Sequence, residues 1–514
     1  MVRLDDTRHT IAALSTLRGH IAPGDPSEPT VDDLPQDLQL LARDGRLTLQ
    51  ELAELHNATQ GTRLADFRTA LSAGILDALG FRDRVAHVIS ELEQQRRRTP
   101  LGRARPHLQA TARAWREACP ALEELEPVGS VRRFAVTAGD LSLLGAAADP
   151  AAAIAELRDL GAFTVLHAGK RRLVARMNAA EVTLEIVTPD RFGPTLLRLT
   201  GAAAHVDALR QRAAVRGLRF DASHENDDFS GRSEGEIYEA LELPFIPPEL
   251  REGTGEIEAA ASGALPRLLT RGDMRGDLHM HTDWSDGRDS LNSMINAARA
   301  LGYSYVAVTD HSVSSTVAGG LDVRRLEKQR ESIELARQAY PDIEILHGSE
   351  VDILPDGRLD FPDAVLERLD IVLASLHDPA GHSGERLTDR YISAMRHPLV
   401  QIVTHPTNRL VPARAGYELD EDRLFEAARE TGTILEIDGA PGHLDMDGAM
   451  ARRAVAAGVT VSVDGDCHRA DLLGRHMEFA VATARRGWVE AAHVVNTLAL
   501  PDLRARLARK RRGA

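Results

Sequence analysis

Between residues 277 and 468 the chain repeats one pattern seven times: a short apolar run that ends in a histidine or an acid. The runs are DLHMH (277–281), YVAVTDH (305–311), IEILHGSE (343–350), IVLASLH (371–377), VQIVTH (400–405), ILEIDG (434–439) and VTVSVDGDCH (459–468). Segments with helical spacing, such as LNSMINAARALG and DGAMARRAVAAG, fill most of the intervals. Unbroken apolar runs alternating with helices predict buried parallel strands that carry functional residues at their C-terminal ends. Polar residues at the same end of all seven predict a closed or nearly closed β/α barrel with its site on the C-terminal rim. An open doubly wound sheet would gather the site at one switch point instead.

The upstream half follows another pattern. Apolar residues recur every three or four positions through about residue 125, as in LQELAELHN and FRTALSAGILDAL, which predicts helices. From about 127 to 222, β-branched runs (FTVLHA, RRLVARM, EVTLEIV) alternate with helical segments. The polar stretch 221–236 reads as a loop and 251–266 as a linker.

Composition narrows the picture. The chain has 514 residues, 43% hydrophobic and 27% charged, enough for several domains with cores of their own. Its two cysteines, Cys119 and Cys467, lie far apart, so a disulfide framework is not expected. The start MVRLDDTRHTIAAL does not read as a signal peptide, and no run approaches the ~20 apolar residues of a membrane span. A cytoplasmic location is expected. A net charge of −15 argues against a surface that grips nucleic acid everywhere, but leaves two basic clusters. They are Arg96, Arg97 and Arg98, continuing to Arg103 and Arg105, and a tail with Arg504, Arg506, Arg509, Lys510, Arg511 and Arg512.

The candidate chemistry lies in the second half, which holds twelve of the 20 histidines. Six stand at strand ends: His279, His281, His311, His377, His405 and His468, joined by Asp286, Glu350 and Asp466. Residues two apart on a strand share a face, so His279 and His281 present their imidazoles together, as do Asp466 and His468 their side chains. Imidazole with carboxylate suits Zn, Mn or Fe, and nine ligands suit two or three divalent ions with one bridging carboxylate. His347, His382, His397, His443, His476 and His493 fall off the pattern and read as ordinary core or surface residues. Cys467 reads as a core thiol.

In this order DLHMHTDWSDG, VTDHS, GSEVDI, SLH, THPTNRL and GDCH resemble the PHP (polymerase and histidinol phosphatase) domain over about 275–500. The resemblance implies a distorted seven-stranded TIM-like barrel with a trinuclear metal site that hydrolyses phosphoesters. One ion would use His279, His281, Glu350 and Asp466, and a second Glu350, His377 and His405. The third would use Asp286, His311 and His468. Glu350, Asp466 and His468 would be catalytic as well, with Arg409 stabilising the leaving oxygen.

Upstream, GSVRR (129–133), TAGDLSLL (137–144), EVTLEIVTPDRFG (181–193), LTGAAAH (199–205) and IYEALELPFIPPELREGTGEIEAA (237–260) resemble a bacterial family X DNA polymerase. That family carries a PHP domain in the same order. The departures matter. The D-x-D strand reads Asp140-Leu141-Ser142, the third carboxylate position is Thr183, and the nucleotide-contacting segment reads Thr200-Gly201-Ala202-Ala203. A single remnant aspartate, Asp140, cannot hold two ions, so the polymerase site reads as inactive. The helix-hairpin-helix turn is reduced to Leu79-Gly80-Phe81-Arg82.

The expected organisation is a helical region (1–125), a degenerate palm- and thumb-like α+β module (126–250), a linker (251–274), the barrel (275–502) and a basic tail (503–514). The expected function is a metal-dependent phosphoesterase: a 3′→5′ exonuclease or DNA 3′-end processing enzyme in DNA repair, without polymerase activity. Ser130, Arg132 and Arg133 join Arg96–Arg98 as candidate DNA contacts. Two alternatives stand beside this reading. One is a histidinol-phosphatase-like hydrolase of small phosphoesters, and the other a non-catalytic scaffold that binds DNA ends.

Overall fold

The computed structural model describes residues 4–19, 29–95, 98–178, 180–220 and 227–511. The chain divides into two compact units, 1–262 and 263–514.

In the first unit, helices Leu4–Arg18, Gln36–Asp44, Leu49–Thr59, Leu64–Ser72 and Arg82–Gln95 enclose a core that includes Leu17, Leu38, Leu52, Phe67 and Val85. Phe81 joins this core instead of lying in an open turn. A five-stranded sheet follows: β1 (Glu124–Pro127), β2 (Ser142–Ala146), β3 (Thr164–Ala168), β4 (Arg172–Met177) and β5 (Ala180–Val187), in the order β1-β2-β5-β4-β3. β2 and β5 are parallel, with Ser142 opposite Thr183, so the two altered carboxylate positions are register neighbours.

The boundary between the two units falls within the expected linker 251–274, but both flanks of that segment are packed. Arg251 and Glu256 are fully buried in the first unit, where Arg251 pairs with Glu234 and donates to Ile246 O (2.8 Å). Leu268, Leu269 and Met274 are buried in the second unit. Buried charges demand partners, so these polar residues hold the chain against its units instead of freeing it. The polar loop also ends early, because Ser233 caps helix Glu234–Ala240.

The second unit is a nearly closed parallel barrel. Its strands are β6 (Gly276–Met280), β7 (Tyr305–Val308), β8 (Glu344–Asp352), β9 (Ile371–Ser375), β10 (Ile402–Val403), β11 (Ile434–Asp438) and β12 (Val461–Asp464). They pair in chain order, one on each of the seven apolar runs. Helices after β6 to β11 are repeatedly started by a side-chain cap, from Ser290, Asp322, Ser383, Asp420 or Asp447. Such caps satisfy otherwise orphaned backbone N–H groups.

Side chains close the seam between β6 and β12. Asp464 Oδ1 accepts from Leu278 N (2.7 Å) and Asn496 Nδ2 (2.7 Å), and Asp277 Oδ1 accepts from Gly465 N (3.2 Å). Beyond the strands, His281 N donates to Cys467 O (3.0 Å). Cys467 is a core residue, its thiol pushed up to about 12 by burial.

The basic tail is a correction too. Residues Leu500–Arg511 form a helix whose Leu503 and Leu507 pack with Tyr305, Ile371, Ile402 and Ile434, the first residues of their strands. The helix therefore seals the end of the barrel opposite the ligand-bearing rim. Arg504 pairs with Glu344 (2.6 Å), Arg506 reaches Thr460 Oγ1 (3.3 Å), and Lys510 donates to Met395 O. Arg512 lies outside the described residues. Replacing Leu503 with Ala should destabilise the barrel by about 3 kcal/mol, the usual cost of a buried leucine cavity. Urea unfolding followed by tryptophan fluorescence measures this, and a cost below about 1 kcal/mol would show that the helix is not part of the core.

Candidate metal centre

All nine candidate ligands come from the C-terminal ends of barrel strands or the turns just beyond. His279 and His281 meet with their Nε2 atoms 3.1 Å apart. Glu350, on β8, lies at the middle of the cluster. Its Oε1 is 2.8 Å from His405 Nε2 and 3.4 Å from His377 Nε2, and its Oε2 is 2.8 Å from His311 Nδ1 and 3.6 Å from His279 Nε2. Asp466 Oδ1 lies 3.1 Å from His281 Nε2, while Asp286 Oδ1 lies 3.2 Å from His468 Nε2 and 3.6 Å from His311 Nε2. One carboxylate thus has an imidazole set at each oxygen, the arrangement a bridging ligand needs.

Three groups of donors converge closely enough to hold an ion: His281, Asp286, His311 and His468; His279, His281 and Glu350; and His311, Glu350 and His377. They overlap the sets implied by resemblance, with His281 and His311 each shared between two groups. Several donor atoms suit a metal better than a hydrogen bond. Glu350 Oε2 and His311 Nδ1 lie 2.8 Å apart without the alignment of a hydrogen bond, and buried His281 Nδ1 has no hydrogen-bond partner, a costly state unless another ligand satisfies it. The donor set fits borderline divalent ions.

Other carboxylates aim the imidazoles. His279 Nδ1 lies 2.6 Å from Glu436 Oε1, and Glu436 Oε2 accepts from His405 N (2.8 Å). His377 Nδ1 lies 2.9 Å from Asp352 Oδ1. Such partners fix ring orientation and tautomer at metal sites. His405 (φ 24°) and Asp466 (φ 42°) adopt left-handed backbone, rare for residues with side chains and common where a site imposes the direction.

The electrostatics follow from close packing. Burial penalises the Glu350 charge, but His311 and His377 outweigh it and hold the carboxyl well below the usual range. Burial likewise opposes charge on His377, yet Glu350 and Asp352 raise it to about 9. His281 goes the other way, to about 3, through burial and the neighbouring His468 and His311.

The centre opens into a cleft of about 640 Å³, within the range of small-ligand sites. Glu350 lines it almost fully buried and His279 and His281 are fully buried, whereas the side chains of Asp286, His377 and His468 keep about a third of their surface exposed (35%, 31% and 33%). His443, read from sequence as an ordinary residue, lines this cleft with its ring 5.4 Å from His405. Burial first, then His405, lowers it to about 4, so it is a neutral wall at pH 7. Arg409 corrects the expectation of a leaving-group cation. Its guanidinium donates to the carbonyls of His443 (2.9 Å) and Leu444 and faces Asp447, which ties down the His443 turn.

In the first unit the remnant polymerase residues meet arginines. Arg63 donates to Asp140 Oδ2 (2.9 Å), to Ser142 Oγ (2.8 Å) and to Asp66 Oδ1 (2.7 Å). Arg172 pairs with Asp66 (2.6 Å) and Glu185 (3.4 Å), and Arg198 pairs with Glu185 (3.2 Å). Guanidinium groups thus stand where a two-metal site would need cations, and helix Leu64–Ser72 is docked through them. Glu185, two residues beyond Thr183, is engaged by both Arg172 and Arg198. The candidate DNA contacts are engaged as well. Arg132 pairs with Glu234 (2.7 Å) and Arg133 with Glu252 (3.0 Å), and Arg98 donates to Thr137. Half-buried Ser130 accepts from Ala135 N through its carbonyl (2.9 Å). Arg96 and Arg97 lie outside the described residues.

Asp66 gives this network a pH signature. Burial raises its pKa, but Arg172 and Arg63 dominate and hold it far below the ~3.9 of an unfolded aspartate. Its contribution to stability is therefore present above ~pH 4 and lost as the pH falls below that value. Asp66→Asn should destabilise the first unit by about 2–4 kcal/mol, because it removes the carboxylate that Arg63 and Arg172 share and leaves them only Asp140 and Glu185. Chemical denaturation at pH 7 measures the cost, and a loss under about 1 kcal/mol would count against a coupled network.

Comparison with known proteins fits both units. Residues 195–252 match the model of the DNA polymerase beta thumb, and 277–417 that of the PHP domain. The chain is 37% identical over 390 residues to the "DNA polymerase/3′-5′ exonuclease PolX" of Bacillus subtilis, covering 74% of this chain and 68% of that protein. Over 214 residues it is 32% identical to a "Probable phosphatase" of Caldanaerobacter subterraneus, covering 39% of this chain and 79% of that protein. A "Probable phosphatase" of Shewanella oneidensis is 29% identical over 212 residues, 38% of this chain and 78% of that protein. The chain belongs to the bacterial family X DNA polymerases that carry a C-terminal PHP domain.

Proposed function

We propose that the barrel hydrolyses phosphoester bonds at DNA 3′ ends, as a 3′→5′ exonuclease or end-processing activity in DNA repair, and that the first unit adds no nucleotides. The observation that carries this reading is the convergence of imidazoles and carboxylates around Glu350, with seven of the nine candidate ligands lining one cleft. In the hydrolysis, water oxygen bonds to phosphorus, the P–O ester bond breaks, and the departing oxygen takes a proton. Divalent ions held by these residues supply Lewis acidity and a water of lowered pKa.

The side chains do the positioning. Glu350 presents both oxygens to the cluster, Glu436 and Asp352 set the ring directions of His279 and His377, and the exposed edges of Asp286, His377 and His468 face the incoming ester. The name of the Bacillus subtilis relative supports the exonuclease reading, and the polymerase beta thumb match supports a DNA partner. The arginine network around Asp140 supports the loss of nucleotide addition, because a guanidinium and Ser142 replace metal and ligand. With Arg504, Arg506 and Lys510 engaged on the barrel and Arg98 on Thr137, Arg96, Arg97 and exposed Arg509 are the remaining candidate backbone contacts. A second reading, a small-molecule phosphatase, draws on the cleft's size and on relatives called probable phosphatases that match 38–39% of the chain.

The test uses the whole purified protein with Mn²⁺ on 3′-labelled single-stranded DNA, gapped DNA and p-nitrophenyl phosphate. We expect release of 3′ nucleotides, and a loss of at least 100-fold with reduced metal content in Glu350→Ala or His281→Ala. Full activity in either variant overturns the site; turnover of the monoester alone favours the second reading. On a primed gap with Mg²⁺ or Mn²⁺ no extension is expected, and template-directed extension overturns that part of the proposal.

A further inference from the structure

Among the described residues that line the cleft, none is lysine or arginine. Asp352 and Asp378 stand beside the ligands, and Arg409 is turned to carbonyl groups and Asp447. Ions in the centre can neutralise one phosphoryl group, but the cleft's imidazoles are gathered at that centre and no lysine or arginine is offered to another. A second phosphate would meet carboxylates instead.

The rest of the mouth is apolar. Val317 is fully exposed on the turn Thr316–Ala318, and Leu354, Pro355 and Pro379 line the same cleft. Hydrogen bonds fix the turn that holds Val317. Ser314 donates from N and Oγ to Asp360 (2.7 and 2.6 Å), Ser315 Oγ donates to Asp352 (2.6 Å), and Arg325 donates to Gly319 O (2.7 Å). An exposed β-branched residue on a pinned turn beside a reactive centre costs no further ordering when a ligand covers it.

We infer that the cleft takes its substrate by a single phosphoryl group and holds the uncharged organic group esterified to it against an apolar lip centred on Val317. This deepens the phosphoesterase reading and rests on it. In the 3′-end reading the occupant of the lip is the terminal nucleoside, and the next phosphate of the strand lies outside the cleft. The lip sets specificity and takes no part in the bond-breaking step.

Two opposite charges at one position separate the explanations. Val317→Asp and Val317→Lys are made in the full chain, with metal content measured in each. Initial rates are read on a single-stranded oligonucleotide with Mn²⁺. Either charge spoils an apolar contact, so both variants should raise KM roughly ten-fold, with kcat within about two-fold and metal content unchanged. A KM lowered by Lys and raised by Asp would mean that a further phosphate occupies the lip, which overturns the inference. An unchanged KM in both would mean that the lip does not touch substrate, which also overturns it. Wild-type protein inactive on every phosphoester would instead overturn the parent reading, a result distinct from the other two.

Discussion

The barrel is organised around one buried carboxylate. Glu350 is 1% exposed, and a lone ionised carboxylate at that depth would be prohibitively costly. It is tolerable because His311, His377, His405 and His279 surround it, and those rings in turn lean on Asp286, Asp352 and Glu436. These groups come from six strand ends or the turns beyond them, so the charge can be compensated only if the strands pair in order and nearly close. The fold and the site are one solution to the same electrostatic problem.

The first unit solves a similar problem by different means. Where the family would place carboxylates around ions, Asp140 and Glu185 remain and Arg63, Arg172 and Arg198 meet them. The change from aspartate to Ser142 removes one negative charge and gives Arg63 a neutral acceptor. Paired in this way, these residues join helix Leu64–Ser72 to the sheet.

Much of this was legible in the sequence because it was periodic or local. Seven apolar runs with polar ends named the barrel strands, and the ligands stood at those ends. His443 was not legible, because its place on the cleft depends on a turn tied down by Arg409, residues far from it in sequence. Glu436 lies inside the apolar run ILEID, where nothing local reveals that His279 will face it. Arg63 looked like any helix-flanking arginine until a pairing 77 residues away joined it to Asp140. The C-terminal cluster was misread because its charge conceals Leu503 and Leu507, whose four-residue spacing marks a buried helical stripe.

The seam between β6 and β12 has a consequence for the whole barrel. Most neighbouring strands are joined by main-chain ladders, but this pair is held by Asp277, Asp464 and Asn496 and by the contact of His281 N with Cys467 O. A boundary made of side chains can part without disrupting a ladder, which makes it the line along which the cylinder would breathe. His279 and His281 stand on one bank and Asp466 and His468 on the other. An ion gripped from both banks would act as the missing rung, so the cations that serve chemistry would also clasp the cylinder shut, and metal supply would govern the barrel's rigidity as well as its reactivity.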